Sequence, residues 1–522
     1  MKKQLLSVLT LSAILSLAVS CDRFLDKIPD NRTEIDTAEK MQNLLVSAYP
    51  ATDYMLLCEF MSDNVDDYGP NNPYTDRFID QVVYWDDVTE SDNEGPENLW
   101  GNSYAAIAAA NEVLAGLENI GGASTRTLEQ IRAEALLCRA YSHFVLVNVF
   151  CKAYNPETSS TDLGIPYIEV PETTLDTDAG RETVAQVYDK IDRDIQEALP
   201  LQGDSYYSIP KFHFNQKAAY AFAARFYLYW QKWDKALLYA DRCLGTAPET
   251  LLRDWAEMKE MTQTYAPIVQ HFIQSSLNCN LLLMTAYSKM GLAFGPYFAY
   301  SRYAHGNYLA TTEDGMATQI WGNASFYQGM KVYRATNLDK TVFWKLPYLF
   351  EYTDAVAGIG YYRTVYPAFW ADETLLVRAE ARAMLDDFDG CCADLTLWMQ
   401  NIVDTDLVLR PMAVRNFFNT SYWSWDAPTL KKHLHPTFDI GTENSQKEAL
   451  IQCVLLFRRI ETLGQGLRWF DIKRYGIDLE RRVMNAKGEP DHVARSLNHD
   501  DERTAVQIPL KVRAAGLKPN PR

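Results

Sequence analysis

Chemistry in this chain has to be sought in its loops, because the compact catalytic signatures are missing from it. There is no GxSxG elbow to expose a serine, no HExxH helix to hold zinc, and no P-loop or GxGxxG turn for a nucleotide cofactor. Glycoside hydrolysis needs only two well-placed carboxylates, and 68 acidic residues leave that route open. His433-Leu434-His435 sets two imidazoles close together, as metal ligands stand, but a zinc site needs a third ligand and the neighbouring sequence offers none. Two loop histidines before Pro436 are therefore expected. Asp63, Asn64, Asp66 and Asp67 offer hard oxygens for calcium, yet the glycine and bidentate glutamate of an EF-hand do not follow at the required spacing. They read as solvated loop acids, and no metal or cofactor is expected.

The aromatic residues of the loops say more. Sugar rings expose flat C–H faces that pack on Trp and Tyr, while planar Asp, Asn and Arg groups bind the hydroxyls. Tyr84-Trp85-Asp86-Asp87 follows an acidic stretch, and Trp321-Gly322-Asn323 lies in a tyrosine-rich segment with Tyr303 and Tyr308. Arg363 stands beside Tyr361 and Tyr362, where its fork can span a vicinal diol. Trp85 and Trp321, brought together from distant loops, are expected to form an aromatic platform, with Tyr303, Asp67 and Arg363 as polar or edge contacts. For any one of these rings a place in the core is the competing expectation.

The N-terminus carries an address. Lys2 and Lys3 precede an apolar run from Leu5 to Val19, and small residues lead to Cys21. This is the layout of a secretory signal peptide over residues 1–20. Leu17-Ala18-Val19-Ser20-Cys21 also resembles a lipobox, in which the cysteine becomes the acylated first residue of the mature chain. Several acyl chains on Cys21, each buried methylene contributing about 0.8 kcal/mol, hold a protein to a membrane essentially permanently. No later stretch has the 18 apolar residues of a spanning helix. The net charge of −18 repels phosphate backbones and argues against nucleic acid as a partner. Eight further cysteines, Cys58, Cys138, Cys151, Cys243, Cys279, Cys391, Cys392 and Cys453, are irregularly spaced and fall mostly in apolar helical patterns. Export permits disulfides, including a vicinal one at Cys391-Cys392, but buried free thiols fit that patterning better.

Helices must carry these loops. Apolar residues recur at helical spacing over 102–117 and 128–150, with Gly121-Gly122-Ala123-Ser124-Thr125 as the turn. A second pair spans 214–230 and 233–244, closed by Pro248, and a third spans 373–385 and 391–403. Ala224, Tyr227, Ala236 and Pro248 fit a tetratricopeptide register and Ala379 fits its small position, while Ala240 replaces the preferred aromatic. Three helical hairpins imply an all-α, superhelical scaffold. The segments 61–99 and 278–366 lack helical periodicity and read as long irregular loops, the usual carriers of binding residues. Residues 154–180, rich in Pro, Thr, Ser and Asp, read as a further loop.

In this order the residues resemble the SusD/RagB outer-membrane lipoproteins. The resemblance rests on Cys21-Asp22-Arg23-Phe24-Leu25-Asp26 with Pro29, on Trp100, Tyr104, Ile107, Asn111 and Leu114, and on Ala133-Glu134-Ala135-Leu136 with Arg139-Ala140-Tyr141. Its most specific block is Arg468-Trp469-Phe470-Asp471-Ile472-Lys473-Arg474-Tyr475-Gly476, followed by Ile508-Pro509. Gly464-Gln465-Gly466 departs from the family's Phe-Glu-Gly, and Phe457 stands where a glutamate usually precedes Arg458, so a helix start is expected to lose charge partners. Arg468, Asp471 and Arg474, three apart, are expected to form an ion-pair ladder on one helix. The resemblance implies one SusD-like α-helical domain over residues 21–522. It further implies a non-enzymatic, surface-exposed, glycan-binding lipoprotein that passes its nutrient to a SusC-like TonB-dependent transporter. A lipid-anchored all-α glycosidase, a receptor for peptide cargo and a repeat-built adaptor are the alternatives. Which glycan, and whether calcium assists, is not legible.

Overall fold

Helical periodicity and turn chemistry survive intact in the folded chain. A computed structural model describes residues 34–171, 180–421 and 429–522, so the signal segment and Cys21 lie outside the described residues. The first hairpin is α1 (Pro96–Asn119) and α2 (Arg126–Phe150). Gly121 and Gly122 turn between them at φ 91° and 89°, a region open to glycine, and Thr125 caps α2 by accepting from the Leu128 N–H at 3.3 Å. From Ala133 to Phe150 every residue of α2 is buried, which marks it as a central helix rather than an amphipathic surface one. Helix α3 (Val184–Ala198) packs on it behind a Thr183–Gln186 capping box.

The second hairpin is α4 (Gln216–Tyr229) and α5 (Trp233–Leu244), and the third is α6 (Ala371–Met384) and α7 (Phe388–Ile402). Helix α6 packs against both α5 and α7, so the hairpins lie side by side. Ala224, Ala236, Ala240 and Ala379 are fully buried, the small residues that let helices approach. Helix α8 (Gln446–Thr462) covers α6, and α9 (Leu467–Tyr475) packs on α8 and on the helix Met55–Met61.

The all-α expectation needs correction. Eighteen helices are accompanied, among the described residues, by three small sheets. Segment 278–366 is not irregular: β2 (Asn280–Tyr287) pairs antiparallel with β7 (Ile359–Trp370), which also pairs with β6 (Leu349–Asp354). Between them β4 (Lys331–Arg334) and β5 (Asp339–Val342) form a separate hairpin. A four-stranded sheet gathers β1 (Asp66–Asp67), β3 (Tyr303–Ala304), β8 (Leu479–Met484) and β9 (Pro490–Leu497) from three remote parts of the chain, in the order β3-β1-β8-β9. Strand β2 is buried on both faces over its first five residues, so it lacks the alternation by which a half-exposed strand is recognised.

Charged residues brace the interior. Arg458 donates to Asp471 at 2.9 Å, Arg474 pairs with Asp471 and Glu380, and Arg225 grips Glu373 with two nitrogens. Arg468 does not join this group. It reaches Asp63 at 2.8 Å, so the expected single-helix ladder is a network between helices. The departure at Gly464-Gln465-Gly466 is compensated by buried Glu59, which accepts from the Gly464 and Gly466 N–H groups at 2.9 and 2.7 Å. Gly466 has φ 76°, and a Cβ there would meet the Met55 Cα at 2.8 Å. Phe457 packs on Trp398 and Trp321 with ring centroids 4.6 and 5.7 Å away. All eight described cysteines are buried free thiols, and burial pushes the thiol of Cys151 up to about 11.

Candidate functional site

The three acids and one amide of the first long loop are not solvated. Asp66 and Asp67 form β1, Asn64 is buried and Asp63 nearly so, and each holds an arginine. Asp63 takes Arg468 and Arg459, Asn64 takes Arg459 at 2.8 Å, Asp66 takes Arg482 at 2.8 Å, and Asp67 takes Arg302 through both oxygens at 3.1 and 3.0 Å. Asp67 also accepts from the Tyr84 hydroxyl at 2.6 Å and the Gly69 N–H at 2.7 Å, which leaves it no free lone pair for an ion. The arginines hold Asp63 well below the usual carboxylate range despite its burial.

This network carries an aromatic surface above it. Arg302 lies over the Tyr303 ring at 5.0 Å, and the Tyr303 hydroxyl donates to Asp80 at 2.8 Å. One step outward, Tyr74 and Phe298 stack at a tilt, with ring centroids 5.2 Å apart. Tyr74, Phe298 and Tyr300 are 50%, 40% and 46% exposed, values that set them apart from the buried tryptophans. Backbone bonds fix their spacing: the Tyr74 N–H donates to the Tyr300 carbonyl at 3.2 Å, and the Arg302 N–H to that of Tyr74 at 3.1 Å. Phe298 sits at φ 53°, a costly backbone state for a bulky residue. Ser301 compensates by donating to the Phe298 carbonyl from both its hydroxyl and its N–H, at 2.6 and 3.0 Å.

Lys340 secures the other side of that loop. Its buried ammonium donates to the Leu292 and Tyr297 carbonyls at 3.1 and 2.6 Å, and burial pulls it down to about 7. From Tyr297 the ring contacts continue through Tyr348 and Tyr362 to Phe350 and Tyr352, each 4.9–5.8 Å from the next. Asp76 and Lys289, 3.5 Å apart, supply polar groups beside the Tyr74 turn. Partly exposed rings set on a braced backbone, with carboxylate and guanidinium groups behind them, suit a flat ligand carrying hydroxyls.

The sequence-expected site is only partly assembled here. Tyr303 and Asp67 come together through Arg302, but as buried supports of the surface. Trp85 is 3% exposed, donates its indole N–H to the Met61 carbonyl at 2.8 Å and lies under Arg481. Trp321 is 7% exposed between Phe326 and Phe457. Neither offers a free face. Arg363 is on β7, paired with Glu351 at 2.5 Å and stacked on Tyr287 at 4.6 Å. There it lines a separate cavity of about 430 Å3 with Tyr49, Asn102 and His213. The residues that sequence reasoning missed, Tyr74, Phe298, Tyr300 and Arg302, had a signal: Pro70-Asn71-Asn72-Pro73 and Gly295-Pro296 are turn formers, and rings next to them fall outside element interiors.

With this geometry in place, relatives can be compared. Residues 23–228 match the model of the SusD-like family described as starch-binding associating with outer membrane. A SusD superfamily protein of Bacteroides thetaiotaomicron is similar over 94% of this chain and all of its own, at 17% identity and a TM-score of 0.65. One from Bacteroides fragilis is similar over 93% and 98%, at 19% identity and a TM-score of 0.61. A SusD-like carbohydrate binding protein of Bacteroides vulgatus is similar over 92% and 96%, at 16% identity and a TM-score of 0.59. These likenesses establish the fold. No curated protein sequence matches the chain.

Proposed function

We propose that this chain, whose residues 23–228 match the SusD-like family model and whose fold is that of SusD superfamily proteins, is a surface lipoprotein that captures an oligo- or polysaccharide and passes it to a TonB-dependent transporter. The observation that carries this reading is the exposed triad Tyr74, Phe298 and Tyr300, held on fixed backbone above the Asp67–Arg302–Tyr303–Asp80 network. Rings are costly to expose without a ligand, and a φ of 53° at Phe298 adds a cost that a binding surface repays. The row of rings running on to Tyr352 suits a chain of sugars better than a single one. The side-by-side hairpins serve as a tetratricopeptide-like scaffold for these loops. Residues 21–522 act as one domain anchored through Cys21.

Binding without cleavage is what this assignment requires. Asp67, the most enclosed carboxylate of the network, spends its oxygens on Arg302, Tyr84 and Gly69, and so has no lone pair left to act as a base. A glycan array probed with the purified chain, followed by chromatography of the bound sugars, tests the reading. Retention of intact oligosaccharide supports it, shortened products would make the protein a glycosidase, and capture of peptides alone would reassign its cargo.

A further inference from the structure

His433-Leu434-His435 was left without a third ligand by its own neighbourhood, and the fold supplies two from elsewhere. Asp478 follows the last turn of α9, and His499 follows β9. One ligand atom from each of His435, Asp478 and His499 lies within 4.8 Å of the other two. The rings of His435 and His499 stack at 4.1 Å and 9°, and His433 meets His435 edge-on at 4.6 Å. The group lies outside the aromatic surface and the network beneath it.

Its local geometry is firmly set. The His435 N–H donates to the Tyr475 carbonyl at 2.8 Å, and the His435 Nδ1 lies 2.9 Å from the Gly476 carbonyl and 3.9 Å from Asp478 Oδ2. Gly476 adopts φ 58°, and a Cβ there would meet the His435 carbonyl at 2.5 Å, so the two segments touch along their backbones. Asp478 Oδ1 accepts from the His499 N–H at 2.6 Å and faces the His499 Nδ1 at 2.9 Å. The His499 Nδ1 therefore faces the Asp478 carboxylate at hydrogen-bond distance, while the His435 Nδ1 rests against the Gly476 carbonyl with the same carboxylate 3.9 Å away.

We propose that His435, Asp478 and His499 bind a divalent transition metal of the zinc class, which clips the 433–436 loop and the β8–β9 hairpin to the end of α9. Two imidazoles and one carboxylate are a zinc-type donor set, whereas calcium selects six to eight oxygens. A metal binds each imidazole in its neutral form, through one ring nitrogen with the ring's single proton on the other, and a ring that carried a proton on both nitrogens would release one to solvent. Ligand nitrogens and oxygens lie about 2.0–2.2 Å from zinc. Small side-chain rotations bring the three atoms to that distance, since His435 and His499 are each about one-third exposed. The fourth position stays open to water or to His433.

Calorimetry on the purified full chain, first stripped with a chelator and freed of it, tests the site with zinc alone. One equivalent of zinc is expected to bind and to raise the melting temperature, and calcium is expected to do neither. His435→Ala, His499→Ala and Asp478→Asn should each weaken zinc binding by at least about tenfold, the range already seen for weaker outer-shell changes at metal sites. His492→Ala, on the exposed strand β9 of the same hairpin, should leave binding unchanged. Circular dichroism on each variant checks that it is folded. Absence of zinc binding, zinc binding that survives in a His435→Ala/His499→Ala double variant, or an equal loss in His492→Ala would overturn the assignment.

Discussion

At the scale of single residues, the position of a ring matters more than its size. Trp85 and Trp321 are among the largest aromatic side chains of the two long aperiodic segments, and the fold uses both as core. Trp85→Ala and Trp321→Ala should each lower the melting temperature by a margin consistent with about 3–5 kcal/mol, the usual result of emptying a buried tryptophan site. Glycan affinity should stay unchanged. Melting curves paired with calorimetry check this, and a loss of affinity without a loss of stability would return the two tryptophans to the site. Sequence alone could not separate these roles, because a tryptophan in an aperiodic segment carries no sign of which face it will turn. Tyr303 and Asp67 were legible as members of a polar cluster. Their partner Arg302 was not, since it pairs with Asp67 across 235 residues.

At the scale of elements, local pattern and long-range pairing divide what could be read. The three hairpins α1–α2, α4–α5 and α6–α7 were legible to within a few residues, because helix periodicity and turn residues are local properties. The sheets were not. Strand β2 meets β7 some 80 residues later, and β1 finds both β3 and β8 only in the folded chain. Within these elements Lys340 on β5 makes a testable contribution. Burial lowers its folded value to about 7, whereas an unfolded lysine titrates near about 10.4. Between those values the unfolded chain holds the extra proton, so this lysine's contribution to stability rises with pH, and below about 7 its burial cost is felt in full. Subtracting the stability profile of Lys340→Met from that of the wild type, by urea unfolding from pH 6 to pH 10, should leave a difference that rises with pH. A flat difference would show that Lys340 keeps its ordinary value. The same variant frees the Leu292 and Tyr297 carbonyls, so it should also weaken glycan binding through the loop that carries Phe298.

At the scale of the whole molecule, the chain is a mainly helical SusD-like body, and none of its described helices is long and apolar enough to cross a membrane. On the proposed reading, attachment is through an acyl group on Cys21, which lies outside the described residues. Cys21→Ala should turn a detergent-requiring membrane protein into one released without detergent, and fractionation with immunoblotting checks it; unchanged membrane retention would remove the lipid from the account. On the proposed reading, such an anchor would confine the protein to the membrane plane and raise its effective concentration near a transporter without any new contact. Affinity purification in mild detergent with glycan present should accordingly recover a large β-barrel in near-equal amount. The fold was readable from sequence because motif order survives where identity is low. The proposed binding surface was not readable, because it is built from loops that meet only after the sheets close.

The central claim is that Tyr74, Phe298 and Tyr300 form the glycan surface, and isothermal titration of one array-selected oligosaccharide into three proteins tests it most directly. Truncating a stacking ring at a binding hot spot costs about 2 kcal/mol, so Tyr74→Ala and Phe298→Ala should each weaken binding on the order of thirtyfold with the melting temperature nearly unchanged. Wild-type affinity in both variants, measured on folded protein and with the sugar recovered intact, would contradict it.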